Sequence, residues 1–167
     1  RQEVAERNRL EAQIQALIKS GSGSGGGGGG DAGGDGGGTL SRPVNGPITS
    51  PYGMRVHPIT RVYKLHDGTD FGVGCGTPIK AAASGTIISQ YYNGAYGNRI
   101  ILNNGTMRGV NVVTTYNHLS RFAARAGQRV TRGQVIGYVG STGYSTGCHL
   151  HFMVLVNGHT TQPMNWL

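Results

Sequence analysis

Acidic side chains are nearly absent from the body of this chain. Of its seven, no glutamate follows Glu11 and nothing acidic follows Asp70, so residues 40–167 hold only Asp67 and Asp70. A paired-carboxylate glycosidase is excluded in practice, because these two neighbours would have to be both acid and base. A zinc protease with a glutamate base in a His-Glu-x-x-His helix is excluded outright. A hydrolase made from these residues must take its general base from histidine or, second, from tyrosine. Cysteine is equally scarce. Cys75 and Cys148 stand alone, with no Cys-x-x-Cys pair, so a zinc ribbon is out. No apolar run approaches bilayer length, and no secretion signal is visible. The chain starts at Arg1 without a helix cap, which reads as part of a longer protein whose signal, if it has one, lies upstream.

Against this background the histidines stand out. His66-Asp67-Gly68-Thr69-Asp70 sets an imidazole and a carboxylate four residues apart around an Asp-Gly turn signal. A straight strand would hold its two ends roughly 13 Å apart, at about 3.3 Å per residue. Gly68, followed by Gly72, Gly74 and Gly76, argues against a helix. The pair is therefore expected on a bent loop leading into a strand. His149-Leu150-His151 opens an apolar run to Val156 that ends at the hairpin signal Asn157-Gly158. On a strand the two histidines share one face, with Leu150, Phe152, Val154 and Val156 on the other. That arrangement suits a metal, an acid–base site or a pair of satisfied core histidines. With His118, these residues supply the ligand types a catalytic zinc uses.

The texture of the chain divides it in three. Residues 1–20 read as a helix, with Leu10, Ile14 and Leu17 on one stripe and Val4 and Ile18 near it. It is either the end of a coiled coil, able to pair with another helix, or an amphipathic helix docked on the domain. Residues 21–38 are Gly, Ser and Asp with a single Ala, and are expected to form a flexible linker of roughly 23 Å root-mean-square span that decouples the helix. Residues 40–167 alternate short β-rich runs with Gly, Asn and Pro turns. Strands are expected at 79–82, 86–92, 99–102, 110–118, 134–139 and 149–156. The fold class is all-β: an antiparallel sheet whose face forms a groove over the histidines.

The ordered motifs resemble those of the lysostaphin/LytM-type zinc metallopeptidases, which cut peptide cross-links in bacterial cell walls. They run His66-x-x-x-Asp70-Phe71-Gly72, Gly76-Thr77-Pro78-Ile79-Lys80-Ala81, Ser84-Gly85-Thr86-Ile87, Tyr96-Gly97-Asn98, Tyr116-Asn117-His118-Leu119-Ser120 and Gly133-Gln134-Val135-Ile136-Gly137. Last comes Gly140-Ser141-Thr142-Gly143-Tyr144-Ser145-Thr146, leading to His149-Leu150-His151-Phe152. The likeness covers about Pro43 to Leu167. It implies one Zn2+ per domain held by His66, Asp70 and His151, with His118 and His149 as the catalytic histidines. It also implies metal-assisted amide hydrolysis in the stem or cross-bridge peptides of peptidoglycan, outside the cytoplasm: secreted, periplasmic or wall-associated.

Other residues carry weaker signals. Tyr116 is expected to share a strand face with His118 and line the groove. Arg55, His57 and Tyr63 precede the first ligand in a polar stretch and are candidate substrate contacts, and the resemblance places Asn98 near the groove. Cys75 and Cys148 each lie close to a proposed ligand in sequence, and a disulfide between them competes with two buried thiols or a direct metal ligand. Residues 40–167 carry eleven Lys or Arg against two Asp, which suggests an anionic partner. Anionic wall polymers fit better than nucleic acid, because the basic residues are scattered and no nucleic-acid motif is present. The alternative to an enzyme is a non-catalytic, metal-containing wall-binding module that activates another hydrolase.

Overall fold

The computed structural model describes residues 2–20, 39–56 and 60–167. The Gly-rich segment 21–38 and His57 lie outside the described residues. Helix α1 spans Gln2–Ser20 and is followed by twelve strands: β1 (Ile48–Ser50), β2 (Gly53–Val56), β3 (Tyr63–His66), β4 (Thr69–Phe71), β5 (Pro78–Lys80), β6 (Gly85–Asn93), β7 (Gly97–Met107), β8 (Val110–Phe122), β9 (Arg129–Val130), β10 (Val135–Val139), β11 (Leu150–Val156) and β12 (His159–Thr161). A short 3-10 helix, Pro163–Asn165, comes last.

The main sheet runs β1-β4-β11-β8-β7-β6-β9, and its ladders are antiparallel. β10 links β8 to β5, and β12 returns along β11. The β11–β12 hairpin turns at Asn157 and Gly158, both at positive φ, as a type I′ turn requires. β2 and β3 form a separate two-stranded ribbon. The six expected strands are all present, several of them longer than read. β1, β4, β9 and β12 are too short to show an alternation in sequence.

The period-2 alternation of the long strands sorts their side chains onto two faces. Phe152, Val154, Tyr116, Ile100 and Leu102 join Phe71, Ile79 and Val139 in the main core. Met153, Leu155, Val113 and Ile101 point the other way and pack with Leu10 and Ile14 of α1. His151 alternates onto this second face. The helix and the histidine site therefore lie on the same side of the sheet.

α1 is rich in Ala, Glu, Gln, Arg and Leu, which favour helix, and it places Glu3 in its first turn and Lys19 in its last, as its dipole prefers. Its stripe is spent on the domain: Leu10 and Ile14 are buried, and Lys64 Nζ reaches Glu3 Oε1 at 3.1 Å. Gln15 Nε2 donates to Asn157 O at the far end. The expected decoupling of helix from domain is corrected here. Docking covers apolar sheet surface that would otherwise face water, and that gain holds the helix whatever the segment between allows.

Candidate metal centre and groove

His66 ends β3 and Asp70 lies in the middle of β4, so the motif bridges two strands rather than occupying a loop. The chain bends at Gly68. A Cβ on Gly68 would stand 2.6 Å from Phe152 O and 2.8 Å from His151 Nε2, so only glycine lets the turn lie on β11. β4 then pairs with β11 so that Asp70 sits opposite His151. Register, more than sequence spacing, brings the two ends of the chain together. One ligand atom from each of His66, Asp70 and His151 lies within 4.8 Å of the others, the one such convergence found among the described residues.

His118 arrives by a different route. By alternation it would follow Val112, Thr114 and Tyr116 into the core. The β7–β8 register slips by one residue between Asn98–Leu119 and Ile100–Tyr116, and His118 takes φ 66°, with its N–H donating to Tyr96 O. This bulge turns His118 onto the groove side, beside Asn117. It also corrects the expectation for Tyr116, which stays in the core. The Tyr116 side chain is fully buried against Phe152, and its hydroxyl accepts from Ala82 N–H and shares a hydrogen with Thr114 Oγ1. Burial pushes its phenol up to about 12. Tyr116 does not line the groove.

Three of the four histidines are oriented alike. His66 Nδ1 lies 2.8 Å from Pro51 O, His118 Nδ1 2.7 Å from Thr142 O and His149 Nδ1 2.9 Å from Gly147 O. A carbonyl only accepts, so each Nδ1 carries the proton and each Nε2 lone pair is left for the site. His66 Nε2 lies 3.4 Å from Asp70 Oδ2, and His149 Nε2 lies 3.7 Å from Asp70 Oδ1. The His118 and His149 rings stand 4.8 Å apart between centroids. Asp70 Oδ1 is buried without a hydrogen-bond partner, an expensive arrangement for a carboxylate unless a cation completes it. Two imidazoles, one carboxylate and this orphaned oxygen fit a zinc ion with an open position.

The electrostatics agree. Burial alone would raise the Asp70 carboxyl, but the surrounding histidines outweigh it and hold Asp70 below the usual range. Burial, reinforced by the neighbouring His151, pushes His118 down to about 3, so it is neutral at neutral pH.

The groove over these groups has a volume of about 290 Å³. Arg55 and Lys64 of the β2–β3 ribbon line one side, with Tyr144 and Thr146 among the other lining residues. Of the expected substrate contacts, Arg55 lies in this lining, its Nη1 donating to Ser50 Oγ. Tyr63 is exposed on the same ribbon and lies outside the groove lining. Asn98 is used structurally: its side chain donates to Leu119 O, and its N–H donates to Thr142 Oγ1. Cys75 and Cys148 form a disulfide, with Cα atoms 5.2 Å apart and a sequence separation of 73. It ties the segment after β4 to the segment before β11.

Asp67, which in sequence is marked only as half of an Asp-Gly turn, has a fully buried side chain. Its Oδ1 lies 3.0 Å from His151 Nε2, and its Oδ2 accepts from Arg7 of α1 at 3.1 Å and from the Tyr96 hydroxyl. The one available signal was that Asp67 is half of the acidic inventory of residues 40–167.

The chain is similar to known proteins over its β domain. It is 42% identical over 118 residues to the DD-carboxypeptidase/endopeptidase Mpg of Neisseria meningitidis, covering 71% of this chain and 26% of that protein. It is 41% identical over 109 residues to the peptidoglycan DD-endopeptidase ShyC of Vibrio cholerae, covering 65% and 24%. The chain thus spans about a quarter of the length of these relatives. Among solved structures, a zinc-containing peptidase from Vibrio cholerae superposes with a TM-score of 0.68 at 35% identity, covering 74% of this chain and 38% of that one. The catalytic domain of lysostaphin from Staphylococcus simulans gives 0.57 at 37% identity, covering 71% and 87%. The model of peptidase family M23 matches residues 64–163, the stretch that holds all four histidines and both aspartates of the site, and the chain belongs to that family.

Proposed function

We propose that this chain carries the catalytic domain of a zinc-dependent endopeptidase that hydrolyses amide bonds in the stem or cross-bridge peptides of bacterial peptidoglycan. The observation that carries the reading is the convergence of His66, Asp70 and His151 in a groove that also holds His118 and His149. These three residues would hold one Zn2+. When bound, it would supply Lewis acidity that polarises the scissile carbonyl and acidifies water.

The remaining work falls to the chain. The Nε2 lone pairs of His118 and His149 face the site, each ring fixed by its Nδ1–H on a backbone carbonyl. One of the two takes the proton of the attacking water on its Nε2 and returns that same proton to the leaving amine, while the other steadies the oxyanion when its own Nε2 is protonated. Burial keeps His118 neutral, with its Nε2 unprotonated. The left-handed backbone of His118 is a strained conformation held by the bulge, as functional positions often are. Arg55 brings positive charge to the groove wall, where substrate carboxylates would pass, while the charge of Lys64 beside it is countered by Glu3. The basic surplus of the domain suits anionic wall polymers, and the disulfide suits an extracytoplasmic setting.

The test is zinc per chain by elemental analysis, together with mass spectrometry of peptides released from purified peptidoglycan. One zinc, and new amine ends that vanish with a chelator and return with zinc, is the expected result. Zinc binding without peptide release refutes the enzyme and leaves a wall-binding module.

A further inference from the structure

His151 reverses the rule that orients the other three histidines. Its Nε2 faces no carbonyl but the Asp67 carboxylate, 3.0 Å away, in a buried ion-pair contact whose angle falls short of an aligned hydrogen bond. A carboxylate facing one imidazole nitrogen favours the proton on that nitrogen and leaves the lone pair on the other. The lone pair of His151 is thereby placed on Nδ1.

Nδ1 lies 3.0 Å from Asn117 Nδ2, but Asn117 does not need it. The two amide hydrogens of Asn117 Nδ2 have two further acceptors, Thr115 Oγ1 at 2.9 Å and His151 O at 3.1 Å. Asp67 itself is outside the convergent donor set. It is held instead by Arg7 Nη1 and the Tyr96 hydroxyl on its other oxygen. A buried carboxylate with a cation, a phenol and an imidazole is a built support rather than a turn residue.

We propose that Asp67 is a positioning residue for the metal site: it holds the Nε2 proton of His151, so that His151 ligates through Nδ1 while His66 ligates through Nε2. Arg7 of α1, with Tyr96, holds Asp67 in turn. The N-terminal helix then reaches the metal through two contacts, Arg7 to Asp67 and Asp67 to His151. This rests on the metal reading given under Proposed function.

The experiment measures zinc affinity by chelator competition on the full chain, for the wild type, Asp67→Asn, Asp67→Glu and Arg7→Met. It also records the 15N signals of the His151 ring in the zinc-loaded protein. The wild type is expected to bind one zinc, with His151 protonated at Nε2 and metal-bound at Nδ1. Asp67→Asn should weaken zinc roughly 10- to 100-fold, as loss of an outer-shell partner typically does. Asp67→Glu should recover part of the loss, and Arg7→Met should lie between the wild type and Asp67→Asn. A merely structural Asp67 would lower the melting temperature without changing zinc affinity, so that result overturns the proposal, as does metal on Nε2. A wild type that binds no zinc overturns the metal reading itself, and the stoichiometry tells that outcome from the others. Should Asp67→Asn fail to fold, the Arg7→Met affinity and the wild-type ring signals decide between the same two outcomes.

Discussion

The docking of α1 can be tested through the double variant Leu10→Ala/Ile14→Ala. Both side chains are buried, 2% and 0% exposed, and both pack on Ile101, Val113, Met153 and Leu155. Alanine removes most of the apolar surface of each and leaves helix propensity intact or slightly improved. Truncating a buried Leu or Ile typically costs about 2–5 kcal/mol. The two losses are not additive, because once the docking free energy is gone the helix leaves and no further cost accrues. A combined loss of about 3–5 kcal/mol is expected. At about 2–4 °C per kcal/mol for a chain of this size, that corresponds to a drop of roughly 6–20 °C in melting temperature. The assay is urea unfolding followed by near-UV circular dichroism, with hydrogen exchange of the α1 amides beside it. Exchange in α1 should rise toward that of a free peptide while the strands stay protected. A midpoint unchanged within about 0.5 kcal/mol, with α1 still protected, would falsify the packing argument and restore an independent helix.

Three further outcomes are expected. His151→Ala should lose zinc and activity together, whereas His149→Ala should keep its zinc and lose about a hundredfold or more in turnover on purified cell walls; the opposite pattern of metal contents refutes the ligand assignment. Non-reducing mass spectrometry should find the chain two hydrogens light with no free thiol, and reduction should lower stability by about 4 kcal/mol for a closed loop of this length; reactive thiols in the native protein would contradict the Cys75–Cys148 bond. In metal-free protein, His118 is neutral down to about pH 3 when folded but takes a proton near pH 6.5 when unfolded, so the unfolded state binds more protons between these values. Stability should therefore fall as pH drops through this window, by up to about 1.4 kcal/mol per pH unit, and His118→Asn should flatten that slope; equal slopes for the two proteins would show that His118 is not buried as described.

Much of the site was legible in sequence because its chemistry is written in residue types. Histidines and aspartates are few here, so His66, Asp70, His118, His149 and His151 could be singled out, and the near-absence of other carboxylates removed competing mechanisms. The long strands were legible because each is several residues of alternating or apolar pattern. Where the reading failed, a long-range contact had overridden a local rule. Period 2 predicted one face for Tyr116 and His118, and a one-residue slip against β7 separated them. Asp67 looked like half of an Asp-Gly turn, and only the pairing of β4 with β11 set it against His151.

Composition and pattern by themselves determined the helix, the strand-rich domain, the basic surplus and the set of groups able to hold a metal. Only the tertiary structure decided which of those groups meet, that Cys75 and Cys148 are bonded, and that the stripe of α1 is spent on the sheet rather than on another helix. The physical reason is range. Propensity and periodicity act over a few residues, whereas the site joins Asp70 to His151 and Arg7 to Asp67, and such distances in sequence close only through strand register and the burial of apolar faces.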